Sequence, residues 1–142
     1  MRLYHFTSPE RLTMIRITGE IRVTESNIGS NRPDIRPYGE HVGPDVVWLT
    51  DVGVVSARGA GLDRTPDGTD KTAVRITVDV PDHEVIWWPD FAVEHGMHKA
   101  WRRALERGRD PRSWFVLTRP IPRAEWVDVE GGPRTDLRLP GL

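Results

Sequence analysis

Residues 2–21 read RLYHFTSPERLTMIRITGEI, a strand-like run that turns within a few residues into a helix start. Side chains alternate along an extended chain, so residues 2–6 form a strand with Leu3 and His5 on one face and Tyr4 and Phe6 on the other. Ser8 followed by Pro9 is a helix start: the hydroxyl can cap the first turn, and proline tolerates the first helical position because its missing N–H has no partner there. Leu12 and Ile15 then fall about one turn apart, and Gly19 marks the stop. Strand, tight turn and short helix therefore deliver a histidine to the end of the first strand.

Further strands follow outward from this unit. EIRVTES (20–26) alternates Ile21 and Val23 with polar residues, and VVWLT (46–50) is apolar on both faces, as in a strand at a sheet's centre. AVRITVDV (73–80) has the cleanest period of two: Val74, Ile76, Val78 and Val80 face one side, Arg75, Thr77 and Asp79 the other. It predicts a half-buried antiparallel strand. VIWW (85–88) reads as a shorter strand or a bend before Pro89, and SWFVLT (113–118) and EWVDVE (125–130) as two strands separated by RPIPRA, whose prolines forbid a helix and suit a crossover or edge. Between 91 and 106, Val93, Met97, Trp101 and Leu105 recur at helical spacing and predict one amphipathic helix closing at Gly108. DVGVVSARGAGL (51–62) predicts a short helix, and 27–45 a long loop. The fold class expected is α+β, in one domain over 1–131, with 132–142 a flexible tail.

Composition narrows the function. The chain has 142 residues, 37% hydrophobic and 29% charged, with net charge −1, which excludes a polycationic or polyanionic protein. It contains no cysteine, and with it no disulfide framework, thiolate metal site or cysteine nucleophile. No signal-peptide pattern or membrane-length apolar run is present, so a cytoplasmic protein without a membrane partner is expected. His95 and His98 lack a third ligand in sequence, and no metal site is expected. No phosphate-binding loop, dinucleotide fingerprint or GxSxG elbow is present.

Three stretches carry a family resemblance: LYHFTSPERLTMIRITGEI (3–21), GPDVVWLTDVGVVSARG (43–59) and RAEWVDVE (123–130). In this order they resemble the ADP-ribosyltransferase superfamily, in the branch with a histidine, an aromatic and a glutamate on three strands, as in poly(ADP-ribose) polymerases and diphtheria-type toxins. The resemblance covers about a third of the chain. It implies a split β-sandwich of two small, mostly antiparallel sheets facing an NAD cleft. It also implies NAD as substrate, with His5 on a ribose hydroxyl of the adenosine half, Thr7 and nearby backbone groups meeting the rest, Trp48 stacked against the nicotinamide, Thr50 among the cofactor-binding residues, and Glu125 as the catalytic carboxylate. Tyrosine is usual where Trp48 stands. Cleavage of the nicotinamide–ribose bond passes through a ribose cation, and a carboxylate about 4 Å away at an effective dielectric near 20 stabilises it by about 4 kcal/mol, roughly a thousandfold in rate.

The implied activity is mono-ADP-ribosylation of a nucleic-acid or protein acceptor, with toxin or defence among the settings. Arg123 stands where arginine-modifying members carry an acid, which disfavours an arginine acceptor. The cations between Lys99 and Arg123 could guide a nucleic acid or the phosphates of NAD. Two alternatives share the fold: an NAD-using enzyme resembling RNA 2'-phosphotransferases, and a non-catalytic module that holds a nucleotide or a partner.

Overall fold

A computed structural model describes residues 1–26, 28, 43–54, 59–62 and 69–131. The chain is α+β. Its elements run β1 (Arg2–Thr7), α1 (Pro9–Thr18), β2 (Glu20–Ile21), β3 (Val47–Thr50), β4 (Val74–Asp79), β5 (Ile86–Trp87), α2 (Trp88–Glu94), α3 (Lys99–Glu106), β6 (Trp114–Leu117), β7 (Ile121–Pro122) and β8 (Trp126–Gly131). Six strands form one antiparallel sheet in the order β5-β6-β3-β1-β4-β8, and β2 pairs with β7 in a two-stranded ribbon, an arrangement consistent with a split β-sandwich.

The first unit folds as its sequence reads. Ser8 Oγ accepts from the Arg11 amide at 3.2 Å, Pro9 occupies the first turn, and Gly19 closes α1 at φ 74°, a left-handed conformation that glycine adopts without a Cβ clash. Leu12 and Ile15 turn inward onto a core built from Leu3, Ile21, Val47, Leu49 and the inward face of β4. Val74, Ile76 and Val78 are fully buried and Val80 nearly so, as the alternation required.

A second core lies on the other face of β3 and β6. There Trp88, Phe91, Ala92 and Met97 meet Trp114 and Val116, with Trp48, Trp101 and Leu105 at the margin. Alternation explains the division: Val47 and Leu49 of β3 serve the first core while Val46 and Trp48 serve the second. This half of the sheet is apolar on both faces because a core packs against each.

Two expectations differ. The single helix across 91–106 is two helices, broken where Gly96 takes φ 62° and His98 Nδ1 accepts from the Ala100 amide as a new cap. Val93 consequently faces solvent, while Met97 packs inward from the linking turn. RPIPRA takes the edge position its prolines suit, contributing β7, where pairing over only two residues asks little of their missing donors. Of EIRVTES only the first two residues form a strand, with Thr24 adding an isolated bridge to Val46. The helix expected in 51–62 falls partly outside the described residues, and its described ends are bends and turns. The expected loop at 27–45 lies mostly outside the described residues, and the expected tail at 132–142 lies wholly outside them.

Candidate functional site

The sheet is almost divided between β1 and β3. β1 pairs with β4 over six residues but with β3 only at Tyr4–Thr50. What joins the two strands next to that pair is a side chain: His5 Nδ1 lies 2.9 Å from the carbonyl oxygen of Trp48. A carbonyl only accepts, so Nδ1 carries the proton and Nε2 is left as the ring's acceptor. Burial pushes the His5 pKa below its ordinary 6.5, the bond to the Trp48 carbonyl opposes that shift, and the Arg11 charge adds to it. The imidazole is neutral at pH 7, and its Nε2 can accept a hydrogen bond from a hydroxyl.

Where the strands part, a cavity of about 480 Å³ opens. Its walls include His5, Phe6 and Thr7 from β1, Trp48 and Thr50 from β3, and Trp114 from β6. All four residues expected to bind cofactor therefore line one space. A smaller cavity of about 210 Å³ shares His5, Arg11, Thr24 and Trp48 with the first, so the His5–Trp48 contact stands in their common wall.

The indole of Trp48 is held from several sides. Its Nε1 donates to the Glu25 carbonyl at 3.2 Å, and its ring centroid lies 4.8 Å from that of Trp88 and 6.0 Å from that of Trp114, edge-on to the latter. These are favourable aromatic geometries that fix the ring without filling the cavity beside it. Thr50 Oγ1 accepts from the Val52 amide at 3.2 Å, which leaves its hydroxyl proton to donate. Arg11 and Lys71 bring positive charge to the lining, and Glu25 is its single carboxylate among the described residues.

Glu125 stands elsewhere. It ends a 3-10 turn (Arg123–Glu125) before β8, two strands from β1, or about 10 Å across the sheet. Its neighbour Trp126 pairs with Val78, which pairs with Leu3, at the end of β1 away from His5 and Thr7. Both Glu125 oxygens accept from Arg119, at 2.7 and 2.9 Å, and Arg119 also binds both oxygens of Glu84 at 2.9 Å. Two bidentate pairs on one guanidinium make a structural clip, and they hold the Arg119 pKa above its ordinary range. The structure does not bring Glu125 to either cavity.

The basic segment also divides. Arg102 pairs with Glu106 at 2.8 Å, Arg109 donates to the carbonyls of Ala104 and Leu105, Arg119 is in the clip, and Arg123 donates to the Arg16 carbonyl and lies over Trp126. Lys99, Arg103, Arg107 and Arg112 are exposed. Among the described residues no three His, Cys, Asp or Glu side chains cluster as a metal site would require, and no helix is long and apolar enough to cross a membrane.

Arg11, Glu25, Lys71 and Trp114 were missed as cavity residues by sequence reasoning. Arg11 had a signal, since it lies one turn inside a helix that starts beside His5. Glu25 reaches the cavity through the Thr24–Val46 bridge, a pairing that no local pattern announces. Comparison of the chain with protein-family models, curated proteins and solved structures finds no match.

Proposed function

We propose that the cavity between β1 and β3 binds NAD and that the protein is an NAD-dependent mono-ADP-ribosyltransferase. The observation that carries the reading is the neutral His5, its Nδ1–H spent on the Trp48 carbonyl and its Nε2 an acceptor, in the same cavity as Trp48, Thr7 and Thr50. A ribose supplies the hydroxyl donor that Nε2 accepts, and the indole supplies a flat face for a flat ring. Arg11 and Lys71 suit the diphosphate. A volume of about 480 Å³ is in the range of small-molecule sites.

With Glu125 held by Arg119, we assign the stabilisation of the ribose cation to Glu25, the one acidic residue of the cavity lining among the described residues. The nicotinamide–ribose bond breaks with its electron pair leaving on nicotinamide. An acceptor oxygen or nitrogen then bonds to the ribose carbon and gives its proton to Glu25, which passes it to water. Removal of a charge that acts only in the transition state lowers kcat and kcat/KM together. Nicotinamide release measured by chromatography tests this: Glu25→Gln loses about a hundredfold or more, while Glu125→Gln keeps its rate per folded molecule. The reverse order would return the catalytic role to Glu125.

The sequestered Glu125 also favours a second reading, a module that binds a nucleotide without cleaving it. NAD binding by calorimetry with no nicotinamide release from any acceptor would establish that reading in place of the first.

A further inference from the structure

We propose that the outward face of α3 is a docking surface for single-stranded nucleic acid, laid beside the cavity as the acceptor. Lys99, Arg103 and Arg107 recur every four residues, so they form one stripe along α3 and its cap, about 6 Å apart along the axis. All three are exposed, and none is ion-paired among the described residues. The only carboxylate of the helix, Glu106, is turned away to Trp88 Nε1 at 2.7 Å and Arg102 Nε at 2.8 Å, so it does not neutralise the stripe. The opposite face carries Trp101 and Leu105 into the second core, and Leu105 also lines the larger cavity. The stripe and the cavity wall are therefore separated by the thickness of one helix, about 10 Å.

The whole chain has net charge −1, so this charge is a local feature rather than a general excess. A row of cations at regular pitch beside an aromatic-lined cavity matches a strand whose phosphates follow the row and whose bases are free to leave it. An acidic peptide would satisfy the charges but has no use for the neighbouring tryptophans. The acceptor role rests on the reading of the cavity given above. Strand binding does not, because it is measured with no NAD present.

The test is fluorescence anisotropy of labelled 12-nucleotide single strands, one DNA and one RNA, between 50 and 200 mM salt, with a labelled poly-glutamate peptide as a third probe. Wild-type protein should bind at least one strand, and the arm that binds tells DNA from RNA. The variant Lys99→Gln/Arg103→Gln/Arg107→Gln should flatten the log–log salt dependence by about 2, so wild type loses about 20-fold more affinity than the variant across that range. Arg2→Gln/Arg16→Gln, with cations removed elsewhere, should leave the slope unchanged. If circular dichroism shows the triple variant misfolded, Arg103→Gln alone decides, with an expected change of about 0.7. An unchanged slope in the folded variant, no strand binding by wild type, or peptide binding as tight as strand binding overturns the proposal. Strand binding without nicotinamide release would leave the surface standing and sink the enzyme reading. Release that is indifferent to the strand would remove the acceptor role.

Discussion

Replacing His5 separates two duties of one ring. His5→Leu leaves the Trp48 carbonyl without the 2.9 Å bond that joins β1 to β3 beside their single ladder pair. An orphaned, part-buried carbonyl costs about 1–2 kcal/mol, which at this chain length lowers the thermal midpoint by roughly 3–8 °C. The lost Nε2 acceptor costs about another 1 kcal/mol of ligand affinity, roughly fivefold in Kd for NAD. His5→Gln can donate to the carbonyl through its amide nitrogen and accept through its oxygen, so it should recover most of both. The pH dependence is specific. Because the folded pKa lies below 6.5, NAD affinity should stay flat as pH falls from 8 through 6.5 and decline only below that, when Nε2 gains a proton. Stability runs in the same direction. The unfolded ring takes its proton near 6.5 while the folded ring resists, so the contribution is full above 6.5 and is lost as pH falls from there through the lowered folded value. Calorimetric titrations at several pH values, paired with thermal melts, measure both. Affinity that halves at or above pH 6.5, or a His5→Leu protein that melts and binds like wild type, would refute the assignment of the two nitrogens.

Arg119→Gln should destabilise by about 1.5 kcal/mol, held to that size by a guanidinium side chain still about a third in water, and should leave nicotinamide release per folded molecule unchanged; urea unfolding and the release assay measure the two. Arg119 holds the Glu84 carboxyl below its ordinary 4.5, so the stability it lends is present above that value and lost as pH falls through the lowered one. Urea midpoints of wild type and Arg119→Gln should therefore converge on acidification below about 4. Trp88 is fully buried among Trp48, Phe91 and Trp114, so Trp88→Ala should cost about 3–5 kcal/mol in urea unfolding, and Trp88→Phe markedly less. Trp48→Phe should retain NAD affinity within a few fold while Trp48→Ala loses at least tenfold by calorimetry, because only the alanine variant lacks a ring face.

Much of the architecture was legible because it rests on local rules. Ser8, Pro9 and Gly19 each act on their own turn, and the period of two in 73–80 names its buried face without reference to any partner. The break at Gly96 was hidden because Met97 packs inward from a turn and so continues a helical rhythm across a gap in the helix. The His5, Thr7, Trp48 and Thr50 grouping was legible through resemblance, and the adjacency of β1 and β3 brings it together. The place of Glu125 away from the cavity was not legible, because a strand-opening position says nothing of where in a sheet the strand will lie. Arg119, six residues earlier, is the side chain that captures it, and the same guanidinium also takes Glu84 from a distant turn.

The near-division of the sheet has a mechanical consequence. β5, β6 and β3 form one plate and β1, β4 and β8 another, riveted at Tyr4–Thr50 and latched by an imidazole. Prising the plates apart would break fewer ladder pairs than unzipping β1 from β4, so what holds the seam is chiefly the core that Leu3, Ile76 and Val78 share with Val47, Leu49 and Leu117. One imidazole therefore helps hold two plates together and also lines the cavity beside them.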